Sequence, residues 1–214
     1  MPEPADFEDA AARRLLAAYV AGDADAFGQL ARGHYDRLWP VALRVCGGDE
    51  DEAADALQDA MIAAMRGAPR FRGDAKVSTW LHRIVVNACL DRLRKRKRRA
   101  ESAYVQEERD VPDPHDRIAD QELAWDVERA LSRLPEEQRA ALVLVDVEGW
   151  PVSQAAAILG IPAGTVKSRC ARGRTKLAAD LQHLRNRPAA SDVQPDISGS
   201  PREPRSDTGK GGQP

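Results

Sequence analysis

Side chains able to do covalent or metal chemistry are few and scattered in this 214-residue chain. His34, His82, His115 and His183 have no second base or ligand at a working spacing, and no HxxxH, CxxC or glycine-rich phosphate loop occurs. The nearest glycine-rich run, GKGGQP, lies in the C-terminal tail and follows no strand pattern. Cys46, Cys89 and Cys170 stand far apart at apolar helical positions, which predicts buried thiols in a reducing cytoplasm rather than a disulfide frame. The expectation is therefore a non-enzymatic, cytoplasmic chain with no catalytic residues, no metal, no cofactor and no small-molecule substrate.

What the sequence does carry is the chemistry of polyanion recognition, in two places. In the first, Lys76, Thr79, Arg83 and Asn87 recur one helical turn apart beside Trp80, with Phe71 and Arg72 just upstream and the run RLRKRKRR after them. Aromatics and amides beside a basic groove suit single-stranded or partly melted nucleic acid, although Trp80 and Phe71 would serve equally well in a core. The second place is VSQAAAILGIPAGTVKSRCARGRTKL, residues 152–177, which reads as helix, tight turn, helix. Ala156 is small where the helices would cross, Gly160 can take the positive φ that ends the first helix, Ile161 plugs the turn and Pro162 stiffens entry to the second. On the second helix Val166, Cys170, Gly173 and Leu177 form the inner face. Ser168, Arg169, Arg172 and Lys176 point outward, with Thr165 near the start and Lys167 on the flank. Such a face offers donors to base edges and phosphates in a major groove.

Charge is sorted to match. The formal net charge is only −2, yet residues 1–60 carry −8, 66–99 carry +10, 100–148 carry −9 and 149–187 carry +6. Two basic blocks separated by acidic ones suggest two contacts with a polyanion. With 31% charged and 5% aromatic residues and no apolar run near the ~20 residues that span a bilayer, the chain reads as soluble and helical. The start, MPEPADFEDA, lacks the basic-then-apolar pattern of a secretory signal.

The elements that must position these residues are helices throughout. Leu15, Leu16, Tyr19 and Val20 mark a first apolar stripe, and Asp23 or Asp25 can cap a second helix carrying Phe27, Leu30, Tyr35, Leu38, Val41 and Val45. That helix should bend at Pro40 and stop at Gly47-Gly48. Residues 49–66 form a third helix with an acidic start, a buried face of Leu57, Met61 and Met65, and an acidic face whose carboxylates have no basic partner nearby in sequence. The loop APRFRGDAKVS leads to a long helix from about Ser78 to Arg98, apolar along Leu81, Ile84, Val85, Ala88 and Cys89. Residues 100–120 are acidic, contain two prolines and show no apolar period, which predicts a flexible linker. A second helical module begins near Gln121, and after Arg187 the tail is Pro/Gly/Ser/Asp-rich.

With both modules in view the chain resembles the short extracytoplasmic-function (ECF) group of the sigma-70 family of RNA polymerase sigma factors, and within it is most similar to the actinobacterial SigM type. Three ordered motifs carry the resemblance: DEAADALQDAMIAAMR, FRGDAKVSTWLHRIVVNACLDRLRKRKRR, and LSRLPEEQRAALVLVDVEGWPVSQAAAILGIPAGTVKSRCARGRTKL. The implied fold is all-α, two small helical domains joined by the acidic linker: a disordered start at 1–8, sigma domain 2 at 9–99, linker at 100–120, sigma domain 4 at 121–187 and a disordered tail at 188–214. The implied function is binding of core RNA polymerase and promoter-specific initiation in response to stress. By resemblance, Asp55, Gln58 and Asp59 face the largest-subunit coiled coil, and the second module meets the flap. Phe71 to Lys76 capture a flipped base, and Phe71, Arg72, Lys76, Ser78, Thr79, Trp80, Arg83 and Asn87 lie along the opened −10 element. Thr165, Lys167, Ser168, Arg169, Arg172 and Lys176 belong to the −35 reader, in which Ala171 is small where some members carry a bulky aromatic. A membrane-tethered anti-sigma factor is the implied regulator. A stand-alone helix-turn-helix regulator and a polymerase-binding decoy are the alternatives, and the basic helix ending at Arg99 counts against the first.

Overall fold

A computed structural model describes residues 4–103 and 119–182, with side chains over 8–100 and 125–182. Among these residues every regular element is helical: α1 (Pro4–Val20), α2 (Ala24–Val45), α3 (Glu50–Gly67), a short 3-10 turn (Ala68–Arg70), α4 (Val77–Ala103), α5 (Ala119–Ser132), α6 (Glu136–Leu142) continuing as a π turn (Val143–Val147), α7 (Val152–Leu159) and α8 (Ala163–Asp180). The all-α architecture is as the sequence predicted. Helix α1 already includes residues 4–8, assigned above to a disordered start, and α4 and α5 reach into the 100–120 segment from either side. The rest of that linker and the 188–214 tail lie outside the described residues.

Caps explain where the first helices begin. The Asp23 carboxylate accepts from the Asp25 and Ala26 amides, and Asp49 from that of Glu52, each satisfying donors that a helix start leaves open. Helix α2 runs through Pro40 and ends at Val45, where Gly47 and Gly48 take φ of 77° and 83°. The buried face of α3 differs from the expected one. It is a stripe of Ala53, Ala56, Leu57, Ala60 and Ala64, while Met61 is half-buried and Met65 exposed. Alanines let α4 approach closely, so the large side chains fall to the edges. Val20 and Tyr35 are likewise exposed rather than in the core, and Tyr35 stacks on Trp39 at 6.1 Å.

The helix-turn-helix forms as read. Gly160 ends α7 at φ 65°, and Val166, Cys170 and Gly173 are buried along α8. Gly173 is required by contact, since a Cβ there would lie 2.6 Å from Leu142 Cδ1 of α6. On α7 the fully buried alanine is Ala155, with Ala156 only half-buried.

The two modules pack against each other through one continuous core. Arg139 of α6 is 4% exposed; its Nε donates to the Val45 carbonyl at the end of α2 (2.9 Å), and its Nη1 to Ser132 and Leu134 carbonyls (2.9 and 3.1 Å). Burial lowers its pKa, but a guanidinium remains charged, so carbonyls at a helix C-terminus are suitable partners. Nearby, the His82 ring meets Trp150 edge-on at 5.2 Å, and Arg44 lies 3.8 and 4.0 Å from Glu128 and Glu148.

Two outcomes follow. Arg139→Met should cost about 2–4 kcal/mol in urea unfolding, because three carbonyls, two of them buried, lose their donor, and should increase the radius of gyration in X-ray scattering. His82, facing Glu148, His34 and Arg37, has its pKa pushed below the ordinary histidine value, chiefly by burial. Below about pH 6.5 the unfolded chain gains a proton that the folded chain refuses, so stability should decline as pH falls from there, and His82→Phe should lack that component when unfolding is compared at pH 7.5 and 5.5.

Candidate nucleic-acid interface

The loop between α3 and α4 is built from outside as well as within. Arg13 of α1 donates from Nη1 to the Gly73 carbonyl (3.1 Å) and from Nη2 to that of Ala75 (2.8 Å), while its guanidinium lies 5.7 Å from the Phe71 ring centre. Asp9, one turn earlier, receives Arg13 Nε at 2.6 Å and accepts the Val77 amide at 2.7 Å, capping α4 from 68 residues away in sequence. Burial opposes ionisation of Asp9, but the Arg13 and Val77 hydrogen bonds overcome it and hold the carboxyl below its usual range. Gly73 takes φ 79°, and a Cβ there would meet Arg13 Nη1 at 2.7 Å. The loop is therefore tied at its start, centre and end, while Arg72 and Asp74 project outward as an ion pair.

Phe71 and Trp80 contact each other at 5.1 Å, both half-buried, so each packs one edge against the core and leaves the other accessible. Trp80 forms part of two openings. One, about 270 Å³, is bounded by the 70–75 loop, Thr79 and Arg83, and closed on its far side by Ala157 and Ile158 of α7. The other, about 540 Å³, is bounded by Arg83, Asn87, Asp91, Arg92 and Lys95 along α4, with Asp59 of α3. Lys76 and Arg83 are exposed; Ser78, Thr79 and Asn87 are half-buried. All eight side chains expected along this element thus sit on one loop and its following helix.

The acidic face of α3 does have partners, supplied by α4. Arg92 reaches Glu52 (3.0 Å), Asp55 (2.6 Å) and Asp59 (3.2 Å), and Arg96 reaches Asp49 at 2.9 Å. The partners lie 33 to 47 residues away, in keeping with the absence of a basic partner nearby in sequence and beyond any local reading. Asp55 and Asp59 remain more than half exposed, and Gln58 borders an apolar groove of about 300 Å³ formed with Tyr35, Trp39, Leu57 and Met61.

On α8, Lys167, Ser168, Arg172 and Lys176 are exposed, together with Ala171 and Thr175, while Thr165 is half-buried. Arg169 departs from the expected outward face. Its side chain is 17% exposed and pairs with Glu137 of α6. At 100° per residue it falls about 70° from the centre of the buried stripe, near enough to lie against α6. Arg174, not singled out by the sequence, forms a two-pronged pair with Asp146 at 2.7 and 2.9 Å.

The sequence pattern of sigma-70 region 2 matches residues 30–99, and that of sigma-70 region 4 matches residues 124–177. The ECF RNA polymerase sigma factor SigM of Mycobacterium tuberculosis is 54% identical over 170 residues, spanning 79% of this chain and 84% of that protein. The chain belongs to the ECF group of the sigma-70 family. Two solved structures agree in fold: the sigma factor RpoE of Bartonella quintana in complex with the anti-sigma factor NepR (27% identity, TM-score 0.59, 74% of this chain and 98% of that one), and CnrH in complex with the cytosolic domain of CnrY (32%, TM-score 0.58, 81% and 98%).

For this sigma factor the residues missed by sequence reading are Asp9, Arg13, Arg92 and Arg139. Each acts on an element distant in sequence, and the only local sign was the Asp9–Arg13 spacing of four, which reads as an ordinary helix pair. Arg92→Ala should lower stability by about 1 kcal/mol in urea, a modest loss because two of its three carboxylates are largely solvated.

Proposed function

We propose that this sigma factor binds core RNA polymerase in the cytoplasm and directs promoter-specific initiation, itself catalysing nothing while the polymerase performs phosphoryl transfer. The observation that carries the reading is that one chain presents two different exposed cationic faces. The face of α4 is flanked by an aromatic pair and a tied loop, which suits opened DNA; the outer face of α8 belongs to a helix-turn-helix, which suits duplex. Phe71, Arg72, Lys76, Ser78, Thr79, Trp80, Arg83 and Asn87 engage the −10 element; Thr165, Lys167, Ser168, Arg172 and Lys176 engage the −35 element. Arg169 holds α8 to α6 instead of reading bases. Asp55, Gln58 and Asp59 with the adjoining apolar groove meet the polymerase coiled coil, and the module from α5 onward meets the flap.

Opening a base pair costs a few kcal/mol, and contacts to captured bases must offset that. Tethering two readers on one chain raises the effective concentration of each once the other is bound. The elements stand about 25 base pairs apart, roughly 85 Å of duplex at 3.4 Å per pair. Since α7 lies against the −10 loop, both faces can engage a promoter only after the modules separate. The packed arrangement is the resting form, and polymerase binding draws it open. An anti-sigma factor is the proposed regulator, supported by the two structural relatives' own complexes with protein partners, and we place it at the membrane by family resemblance alone.

Reconstitution with core polymerase and a promoter library tests this. Specific transcripts should require the added protein; specific DNA binding without core would favour a stand-alone regulator, and core binding without open complexes a decoy. Arg172→Ala should weaken −35-dependent promoters at unchanged core affinity, and Asn87→Ala should impair open-complex formation more than −35 binding.

A further inference from the structure

We infer that α1 is a specificity element: the Asp9–Arg13 pair sets the conformation in which the 71–76 loop discriminates among captured bases. This rests on the −10 role proposed above for the loop and goes beyond it, because α1 lies outside the region 2 match that begins at residue 30.

The argument is one of geometry. Three N–H groups of Arg13 have assigned acceptors, and two of these are loop carbonyls, those of Gly73 and Ala75. Asp9 divides its carboxylate between Arg13 and the first amide of α4. The pair thus links the loop's centre to the start of the helix carrying Thr79, Trp80 and Arg83, and the guanidinium stands over Phe71. Attachment of α1 to the core does not need these two residues, since Ala12 and Leu16 supply its buried contacts at 4% and 3% exposure. Gly73 keeps a positive φ with Arg13 against the position a Cβ would occupy, so the loop is shaped to receive this side chain.

Discrimination between bases demands a fixed arrangement of donors and acceptors, whereas phosphate attraction tolerates a loose one. Releasing the loop should therefore erode sequence choice while leaving non-specific, salt-sensitive binding nearly unchanged. Asp9 and Arg13 are positioning residues, acting through the loop without touching DNA.

The test uses the full chain assembled with core polymerase and a single-stranded DNA pool randomised at six positions, with sequence enrichment as the readout. Wild type should enrich a defined motif. Arg13→Ala should flatten preference at the captured position by about fivefold or more, the loss expected for roughly 1 kcal/mol of misplaced contact per base, at unchanged total DNA retention and unchanged selection from a duplex −35 pool. Arg14→Ala, the same charge change on an exposed neighbour, should enrich as wild type does. Should Arg13→Ala fold poorly by circular dichroism, Arg13→Lys and Asp9→Asn take its place, since lysine cannot bridge both carbonyls and asparagine keeps an acceptor for Val77 while losing the ion pair. Unaltered preference in a folded variant overturns the inference. A wild-type holoenzyme that enriches no motif overturns instead the −10 role on which it rests.

Discussion

A buried guanidinium sits where the two halves of the molecule meet, and much of the arrangement depends on it. Arg139 carries a full charge into a site almost closed to water, where its hydrogen-bond partners among the described residues are carbonyl oxygens, two from the turn before its own helix and one from the end of α2. A charge so placed is tolerated only when its donors are satisfied, so the site demands that these carbonyls stay together. Its position beyond Gly47, whose hypothetical Cβ would lie 3.1 Å from the guanidinium, means that the glycine pair both ends α2 and makes room for the opposite module. Gly47, Arg139 and the α6 turn therefore form one unit, although they stand far apart in sequence.

The consequence for function is that the two modules proposed to read different stretches of DNA are packed together in this structure. The aromatic pair at Phe71 and Trp80 opens toward α7, while the outer face of α8 remains at the surface. Among the described residues the modules are held by Arg139, Arg44, the His82–Trp150 contact and a shared apolar core, and contacts between domains can exchange for others. Under the proposed function the modules give up these contacts to extend along polymerase and promoter, so the contacts must be exchangeable.

Within the first module, ion pairs do a different job. Arg92 and Arg96 draw the acidic face of α3 onto the basic face of α4, cancelling part of the −8 and +10 blocks that were visible along the chain. Those blocks are therefore not simply two surfaces for two partners. Part of each is consumed internally, while Arg83 and Lys95 of α4 stay exposed. The same holds for Arg169 and Arg174, whose carboxylate partners on α6 and its π turn reduce the free charge of α8 to fewer side chains than its sequence suggests.

Local physics determined the helices, their caps at Asp23 and Asp49, the glycine stop at Gly160 and the inner face of α8, because turn geometry, helical period and capping act over a few residues. Outward orientation was legible for Ser168 and Arg172, which stand away from the buried stripe, and not for Arg169, which stands on its shoulder. The alanine face of α3 was hidden because alanine signals burial weakly and methionine strongly, while the tertiary fit rewarded a close helix approach. Tertiary structure alone decided that Asp9 caps α4, that Arg13 ties the loop, that Arg92 partners three carboxylates and that Arg139 joins the modules. Each is a polar contact between elements distant along the chain, and its energy depends on distances that no sequence spacing encodes.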